Sequence, residues 1–309
     1  MHIKVLGAAA GGGFPQWNCR CDNCRRARAR DPAVLPRTQA SLAVSADGER
    51  WVLLNASPDL PEQLRATPVL HPGDATGARG SPVKAVILSG GDIDCIAGLL
   101  SLREGHEFIV YAPPFVENIL RANQVFSVLD KNIVKFQNFT DGHVFELRDA
   151  AGDPLGLWCE SFPVPGKIPL YQEQGRDFRE LVNAHAVVGL RVRDGSDRTL
   201  LFVPGCARVT AAMVHSFETS DVLFFDGTLW RDDEIIAAGV GPKTGARMGH
   251  VSISGAEGSL AAFAGAQIAR KIYIHINNTN PILCDDSAEA KTARENGWDI
   301  ARDGMEIIL

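Results

Sequence analysis

Nothing in the 309 residues approaches the ~18–20 consecutive apolar positions that a bilayer-spanning helix needs, so no membrane partner is expected. Basic residues are in the minority, 31 Lys and Arg against 37 Asp and Glu. The resulting formal charge of −6 speaks against a protein that tracks nucleic-acid phosphates. The start, Met1-His2-Ile3-Lys4-Val5-Leu6, lacks the basic region and small-residue cleavage site of a secretory signal and already alternates like a strand. A cytoplasmic location is the expectation. No linker rich in Ser or Pro divides the chain, and no internal repeat of ~20–50 residues is visible. Even pairing of cysteines is missing: there are seven, and three of them crowd together. In a reducing compartment that clustering reads as metal binding rather than disulfides.

What remains is ordinary globular material. Hydrophobic residues at 45% and charged residues at 22% exclude disorder, coiled coil and collagen. A chain of this length buries about three-quarters of its surface on folding, enough for a core without staples. One domain over residues 1–309 is expected.

Apolar periodicity switches repeatedly between two and three-to-four. Strands are expected at Ile3–Leu6, Leu42–Ser45, Trp51–Asn55, Val83–Leu88, Phe108–Ala112, Leu157–Phe162, Ala186–Val192, Leu200–Val203, Val222–Phe225 and Ile272–Ile276. Asp194-Gly195-Ser196-Asp197 reads as a hairpin turn. Helices are expected at Ile96–Arg103, Phe115–Val125, Thr210–Phe217, Leu260–Ala269 and Ala288–Glu295, the last closed by Asn296-Gly297. Thr67 to Pro82, rich in Pro and Gly, reads as one surface loop. Strands and helices interleave throughout, which points to a layered mixed α/β domain.

Cys19, Cys21 and Cys24 put three thiols within six residues, after Gly11-Gly12-Gly13-Phe14-Pro15. Thiolates bind zinc at about 2.3 Å in a tetrahedron, and a short loop can wrap three around one ion. The bland alternative is three buried cysteines, but packing gives no reason for such close spacing. A fourth ligand, most naturally histidine, has to come from elsewhere, and a closed four-ligand site is structural. The three glycines lack the helix that a dinucleotide fingerprint opens. The run Val86-Ile87-Leu88-Ser89-Gly90-Gly91-Asp92-Ile93-Asp94-Cys95 reads as a buried strand, a polar turn and a helix start. Asp92 and Asp94 there can bind a divalent metal or cap the helix. His106 and His185 read as structural histidines, and Cys159, Cys206 and Cys284 as small buried hydrophobes. Gly239 to Gly245 reads as a flap.

The segment after the buried strand resembles the metallo-β-lactamase superfamily, whose frame is His-x-His-x-Asp-His-x-x-Gly. Here it holds Gly90, Asp92, Asp94, Cys95 and Gly98, so only the aspartate and the glycine remain. Further motifs narrow the likeness. Phe14-Pro15-Gln16-Trp17-Asn18-Cys19-x-Cys21-x-x-Cys24, Asn55-Ala56-Ser57-Pro58-Asp59, Asp226-Gly227-Thr228-Leu229-Trp230, Met248-Gly249-His250 and His275-Ile276-Asn277-Asn278-Thr279-Asn280-Pro281 resemble the PqqB family of pyrroloquinoline quinone (PQQ) biosynthesis. The likeness runs over essentially the whole chain and is weakest from Lys131 to Arg179.

The resemblance implies an αββα four-layer sandwich with two mixed β-sheets. It implies a structural zinc at Cys19, Cys21 and Cys24, with His275 assigned as fourth ligand and its place in the active site as the competing assignment. It implies an active site of Asp92, Asp94, Cys95, Asp226 and His250 around iron(II) or another divalent metal. Family members usually carry histidine where this chain has Cys95. Either the site is altered, or metal binding relies on Asp92, Asp94, Asp226 and His250. The implied activity is iron-dependent hydroxylation of the tyrosine of a Glu-Tyr-derived precursor, with Arg103, Arg247 or Lys243 as candidates to hold its carboxylates. The rivals are a metal-dependent hydrolase, disfavoured by the missing His-x-His pair, and a non-catalytic carrier of PQQ or its precursor. A homodimeric assembly is left open.

Overall fold

Alternation along a strand sends successive side chains to opposite faces, and here most strands are apolar on both. The computed structural model describes residues 1–73, 79–173 and 186–309. His185 and residues 74–78 of the Thr67–Pro82 loop lie outside the described residues. In chain order the described strands are β1 His2–Gly7, β2 Ser41–Ser45, β3 Trp51–Leu54, β4 Val83–Ile87, β5 Phe108–Ala112, β6 Val134–Asn138 and β7 Val144–Arg148. They continue as β8 Pro154–Pro163, β9 Val188–Asp194, β10 Thr199–Val203, β11 Val222–Asp226, β12 Arg270–Ile274, β13 Trp298–Ile300 and β14 Glu306–Ile308.

They form two seven-stranded sheets, ordered β14-β1-β2-β3-β4-β5-β6 and β13-β12-β11-β10-β9-β8-β7. Each sheet is antiparallel at one end and parallel at the other. β3 to β6 pair in parallel, as do β10 to β13. The remaining neighbours are antiparallel.

The alternation builds the layers. Val52 and Leu54 of β3 meet Leu200 and Phe202 of β10 and Val222 and Phe224 of β11 in a core between the sheets. Trp51 and Leu53 face the other way, into a second core with Leu60, Leu99, Val116 and Leu120. Leu201, Leu223, Phe225 and Tyr273 face out of the second sheet against Phe217, Phe263, Ala293 and Trp298. Helix, sheet, sheet, helix: this is the αββα sandwich with two mixed sheets.

All ten expected strands are present, and Ala288–Glu295 is a helix over the same residues. Other helices are shorter than expected. Ile96–Arg103 becomes an α-turn at Ile93–Ile96 followed by a 3-10 helix at Ala97–Leu102. Gly98 packs so tightly there that a Cβ would lie 2.3 Å from the Ser57 carbonyl oxygen. Leu260–Ala269 shrinks to Ser259–Ala262, and Gly265 lies just beyond in left-handed backbone at φ +80°. The cysteine segment is not all loop: Asp22–Arg28 is helical, so Cys24 sits on its first turn and Cys21 at its cap.

Candidate metal centre

The segments that follow β4, β10, β11 and β12 converge at one edge of the sandwich, where parallel strands of α/β sheets deliver ligand groups. Asp226 ends β11 with its side chain fully buried. Its Oδ2 accepts from the Cys206 N–H at 2.8 Å and lies 2.7 Å from His250 Nδ1. Its Oδ1 accepts from the Thr228 N–H at 3.0 Å and the Thr228 hydroxyl at 2.6 Å. Burial opposes the Asp226 charge, but the His250 and His275 rings and the Thr228 hydroxyl hold the carboxyl below its usual range.

His250 follows the short helix Gly245–Met248, which Thr244 caps through Oγ1 and which Gly249 ends in left-handed backbone at φ 86°. His275 comes immediately after β12. Its Nδ1 is 2.8 Å from Thr228 Oγ1, and its Nε2 is 2.8 Å from Asp94 Oδ2. The two imidazoles stack with centroids 5.1 Å apart. Burial would lower the His275 pKa, but Asp94, backed by Asp226 and Asp92, raises it. Asp94 is in turn held below its ordinary value by His275, against burial.

The structure brings together one donor atom each from Asp226, His250 and His275, all within 4.8 Å of one another. Asp94 adjoins them through His275. Asp92 and Cys95 line the same cavity but stand outside that trio. Asp92 holds the cap position of Ile93–Ile96 without making a side-chain cap bond. Burial, with Asp94 beside it, pushes its carboxyl up to about 6. Burial and the two aspartates push the Cys95 thiol well above its ordinary value, and its Sγ lies 3.9 Å from Asp94 Oδ1.

The cavity measures about 460 Å³. Away from the donors its wall includes Ile93, Leu170, Tyr171 and Met248, with Lys167 and Lys243 as cations. The Tyr171 hydroxyl donates to the Gly91 carbonyl at 2.5 Å. Arg103 does not reach this wall; it bonds the Leu100 carbonyl and faces Glu104. Arg247 grips Glu173.

The assignment of His275 to the cysteine cluster is corrected. β12 ends at Ile274, and strict alternation would send residue 275 outward with Tyr273, to the side where Cys19 and Cys24 pack. Backbone φ at His275 is instead +59°, a left-handed conformation uncommon outside glycine, and the ring joins Asp94, Asp226 and His250. The three thiols do converge. The group that meets them is Asn278, whose Nδ2 lies 3.1, 3.5 and 3.4 Å from the sulfurs of Cys19, Cys21 and Cys24.

Two residues that the sequence did not single out enter the site. Thr228 joins Asp226, His250 and His275 through one hydroxyl. Its signal was its place two residues after Asp226, and that of Asn278 its place three after His275. Cys206 contributes its backbone N–H to Asp226, while its buried thiol, pushed up to about 12 by burial, bonds the Arg208 carbonyl. His106 stacks on Phe108, and its buried Nε2 has no hydrogen-bond partner among the described residues.

Residues 50–276 match the model of the Beta-lactamase superfamily domain. Over 307 residues, 99% of each chain, the sequence is 50% identical to Coenzyme PQQ synthesis protein B of Gluconacetobacter diazotrophicus. It is 46% identical to the protein of that name from Methylorubrum extorquens, over 100% of both. The chain belongs to the PqqB family. The solved structure of Zn(2+)-bound PqqB from Methylobacterium extorquens superposes with a TM-score of 0.93 at 46% identity, covering 100% of both chains. The fold is thus the metallo-β-lactamase fold. A diphosphatase of the PhnP family, at 19% identity and a TM-score of 0.65, shares that fold. The PqqB match takes in both donor clusters. The superfamily domain covers Asp94, Asp226, His250 and His275 and leaves Cys19, Cys21 and Cys24 outside.

Proposed function

We propose that this chain works in PQQ biosynthesis as an iron(II)-dependent hydroxylase of the tyrosine ring in a Glu-Tyr-derived precursor. The observation that carries this reading is the convergence of two imidazoles and one carboxylate, His250, His275 and Asp94, on one side of a cavity large enough for a dipeptide, with Asp226 buried behind His250.

The donor chemistry fits the metal. Two histidines and one carboxylate with positions left open are the ligand set of non-haem iron(II) oxygenases. Asp94, 2.8 Å from His275 Nε2, is placed to supply the carboxylate, while Asp226 orients His250 from the other side of its ring. When bound there, iron(II) supplies a redox-active Lewis acid with room for O₂ and substrate. Asp226 and Thr228 fix the Nδ1 side of both rings, so the opposite nitrogen of each is the one presented. In the metal-free protein, burial, Asp94 and Asp92 favour the protonated Cys95 thiol. Ile93, Leu170, Tyr171 and Met248 offer an apolar surface to an aromatic ring. The net change places one atom of O₂ in an aromatic C–H bond. The other atom leaves as water, with two electrons and two protons from an external reductant.

The cysteine cluster fits a structural zinc. With bonds of about 2.3 Å to sulfur and 2.0 Å to oxygen, a tetrahedron has edges of about 3.5–3.8 Å. The end of the Asn278 carboxamide lies at nearly that spacing from all three sulfurs. Its oxygen and nitrogen exchange places by a simple flip, which would turn the oxygen to the ion. Asn278 therefore takes the role that was assigned to His275.

The test is anaerobic loading with iron(II), then O₂, a reductant and Glu-Tyr, with the product weighed by mass spectrometry. A gain of one oxygen atom that needs iron supports the hydroxylase. Tight binding of Glu-Tyr with no change in mass would instead favour the carrier.

A further inference from the structure

We propose that Lys243 binds a carboxylate of the substrate and so sets which end of an acidic aromatic molecule faces the His250–His275 donors. This rests on reading the cavity as the binding site of an acidic aromatic precursor.

Among the described residues, three cationic side chains lie in or beside the cavity, and two are already committed. Lys167 Nζ is 2.7 Å from Glu173 Oε1, while Arg247 holds both oxygens of the same carboxylate at 2.7 and 3.3 Å. Lys243 lines the cavity half-buried, and among the described residues no salt bridge or hydrogen bond engages its ammonium. A partly buried ammonium facing a cavity gains most from an anionic partner, since a charge-assisted hydrogen bond is about twice as strong as a neutral one.

Its backbone is also anchored. Thr244 caps the next helix by accepting from the Arg247 N–H at 3.2 Å. The Gly245 and Ala246 N–H groups bond Asp232 at 2.9 and 2.7 Å. Gly245 has no room to shift, because a Cβ there would lie 2.9 Å from Leu229 and 3.1 Å from the His250 carbonyl oxygen. The stretch from Lys243 to His250 is therefore one braced unit, with a cation at one end and a donor imidazole at the other. A carboxylate at Lys243 leaves the aromatic part of the molecule to Leu170, Tyr171 and Met248, beside His250.

The experiment is calorimetric titration of zinc- and iron(II)-loaded protein, kept anaerobic at low salt. The parent, Lys243→Ala and Lys243→Arg are titrated with Glu-Tyr and with its diamide, in which both carboxylates are capped. Lys243→Ala is expected to weaken Glu-Tyr binding about tenfold, and Lys243→Arg to keep most of it. The diamide should bind the parent about as weakly as Glu-Tyr binds Lys243→Ala, with no further loss in that variant. Iron content should be unchanged. If Glu-Tyr binds the parent and Lys243→Ala equally, Lys243 is not the carboxylate partner, although the precursor reading stands. Failure of Glu-Tyr to bind the parent overturns the precursor reading. N-acetyltyrosine and its amide then decide Lys243: a preference for the acid that vanishes in Lys243→Ala upholds it. Equal binding of the two, or binding of neither, overturns it.

Discussion

His275 Nε2 and Asp94 Oδ2 lie 2.8 Å apart although 181 positions separate them in the chain. The pair ties the end of β12 in one sheet to the helix start after β4 in the other, across the edge of the sandwich. Without a metal the two are hydrogen-bonded, and Asp94 favours the protonated imidazole. A cation bound between the donors takes the place of that proton, so the same contact serves both states.

Asp94→Asn should therefore weaken iron(II) binding at least tenfold. In metal-free protein it should cost about 3 kcal/mol, because removing one partner strands the other's charge in a mostly buried site. Denaturant unfolding with and without iron(II) measures both. Metal-free Asp94→Asn that unfolds like the parent would show that the pair carries no such weight.

Zinc at the cysteine cluster should behave independently of the cavity. Cys21→Ser should lose zinc and lower the folded yield, because metal binding and ordering of the 11–24 segment are coupled. Asn278→Ala should weaken zinc retention tenfold or more while leaving iron(II) binding intact. Both follow from metal analysis after dialysis. An Asn278→Ala protein with full zinc content would leave the fourth corner to another group.

Cys95→His should raise iron(II) affinity roughly tenfold and leave zinc content unchanged. An imidazole is mostly neutral at pH 7 and ready to ligate, whereas the Cys95 thiol is held protonated by burial and by Asp94 and Asp92. Competition with a chromophoric chelator reads the change. Unaltered iron(II) affinity would mean that position 95 does not reach the metal.

Stability should carry a pH signature from Glu234. Its Oε1 accepts from the Thr279 hydroxyl at 2.6 Å and its Oε2 from the Trp230 N–H at 2.7 Å. Burial nonetheless pushes the carboxyl up to about 7. The unfolded chain ionises this group near pH ~4.3. Its contribution to stability therefore falls as pH rises from there to about 7 and is level above. Glu234→Gln should abolish that slope and narrow the loss between pH 5 and 8 by roughly 2 kcal/mol. Parallel unfolding curves for parent and variant across that range would refute the assignment.

Much of this was legible because buried strands write themselves as apolar runs. Val222–Phe225 and Trp51–Leu54 face apolar cores on both sides, and no other element fits them. β6 and β7 lie at sheet edges with much of their length exposed, and β13 and β14 are three residues each, too short for a period to show. In the site, Asp94, Asp226 and His250 could be read because a strand end or a motif marked them. His275 was assigned to the wrong cluster because alternation predicts its face and only the backbone reveals the left-handed turn. Asn278 was invisible for a different reason. Asparagine is common in turns, and only its position against three sulfurs distinguishes it.

The central claim is that the chain has two separable metal sites and that His275 serves the cavity. The most direct measurement is the zinc and iron content of His275→Ala, loaded with both metals anaerobically and then dialysed. One zinc per chain should be retained and iron lost. Zinc lost together with stability, as in Cys21→Ser, with iron still bound, would instead place His275 in the cysteine cluster.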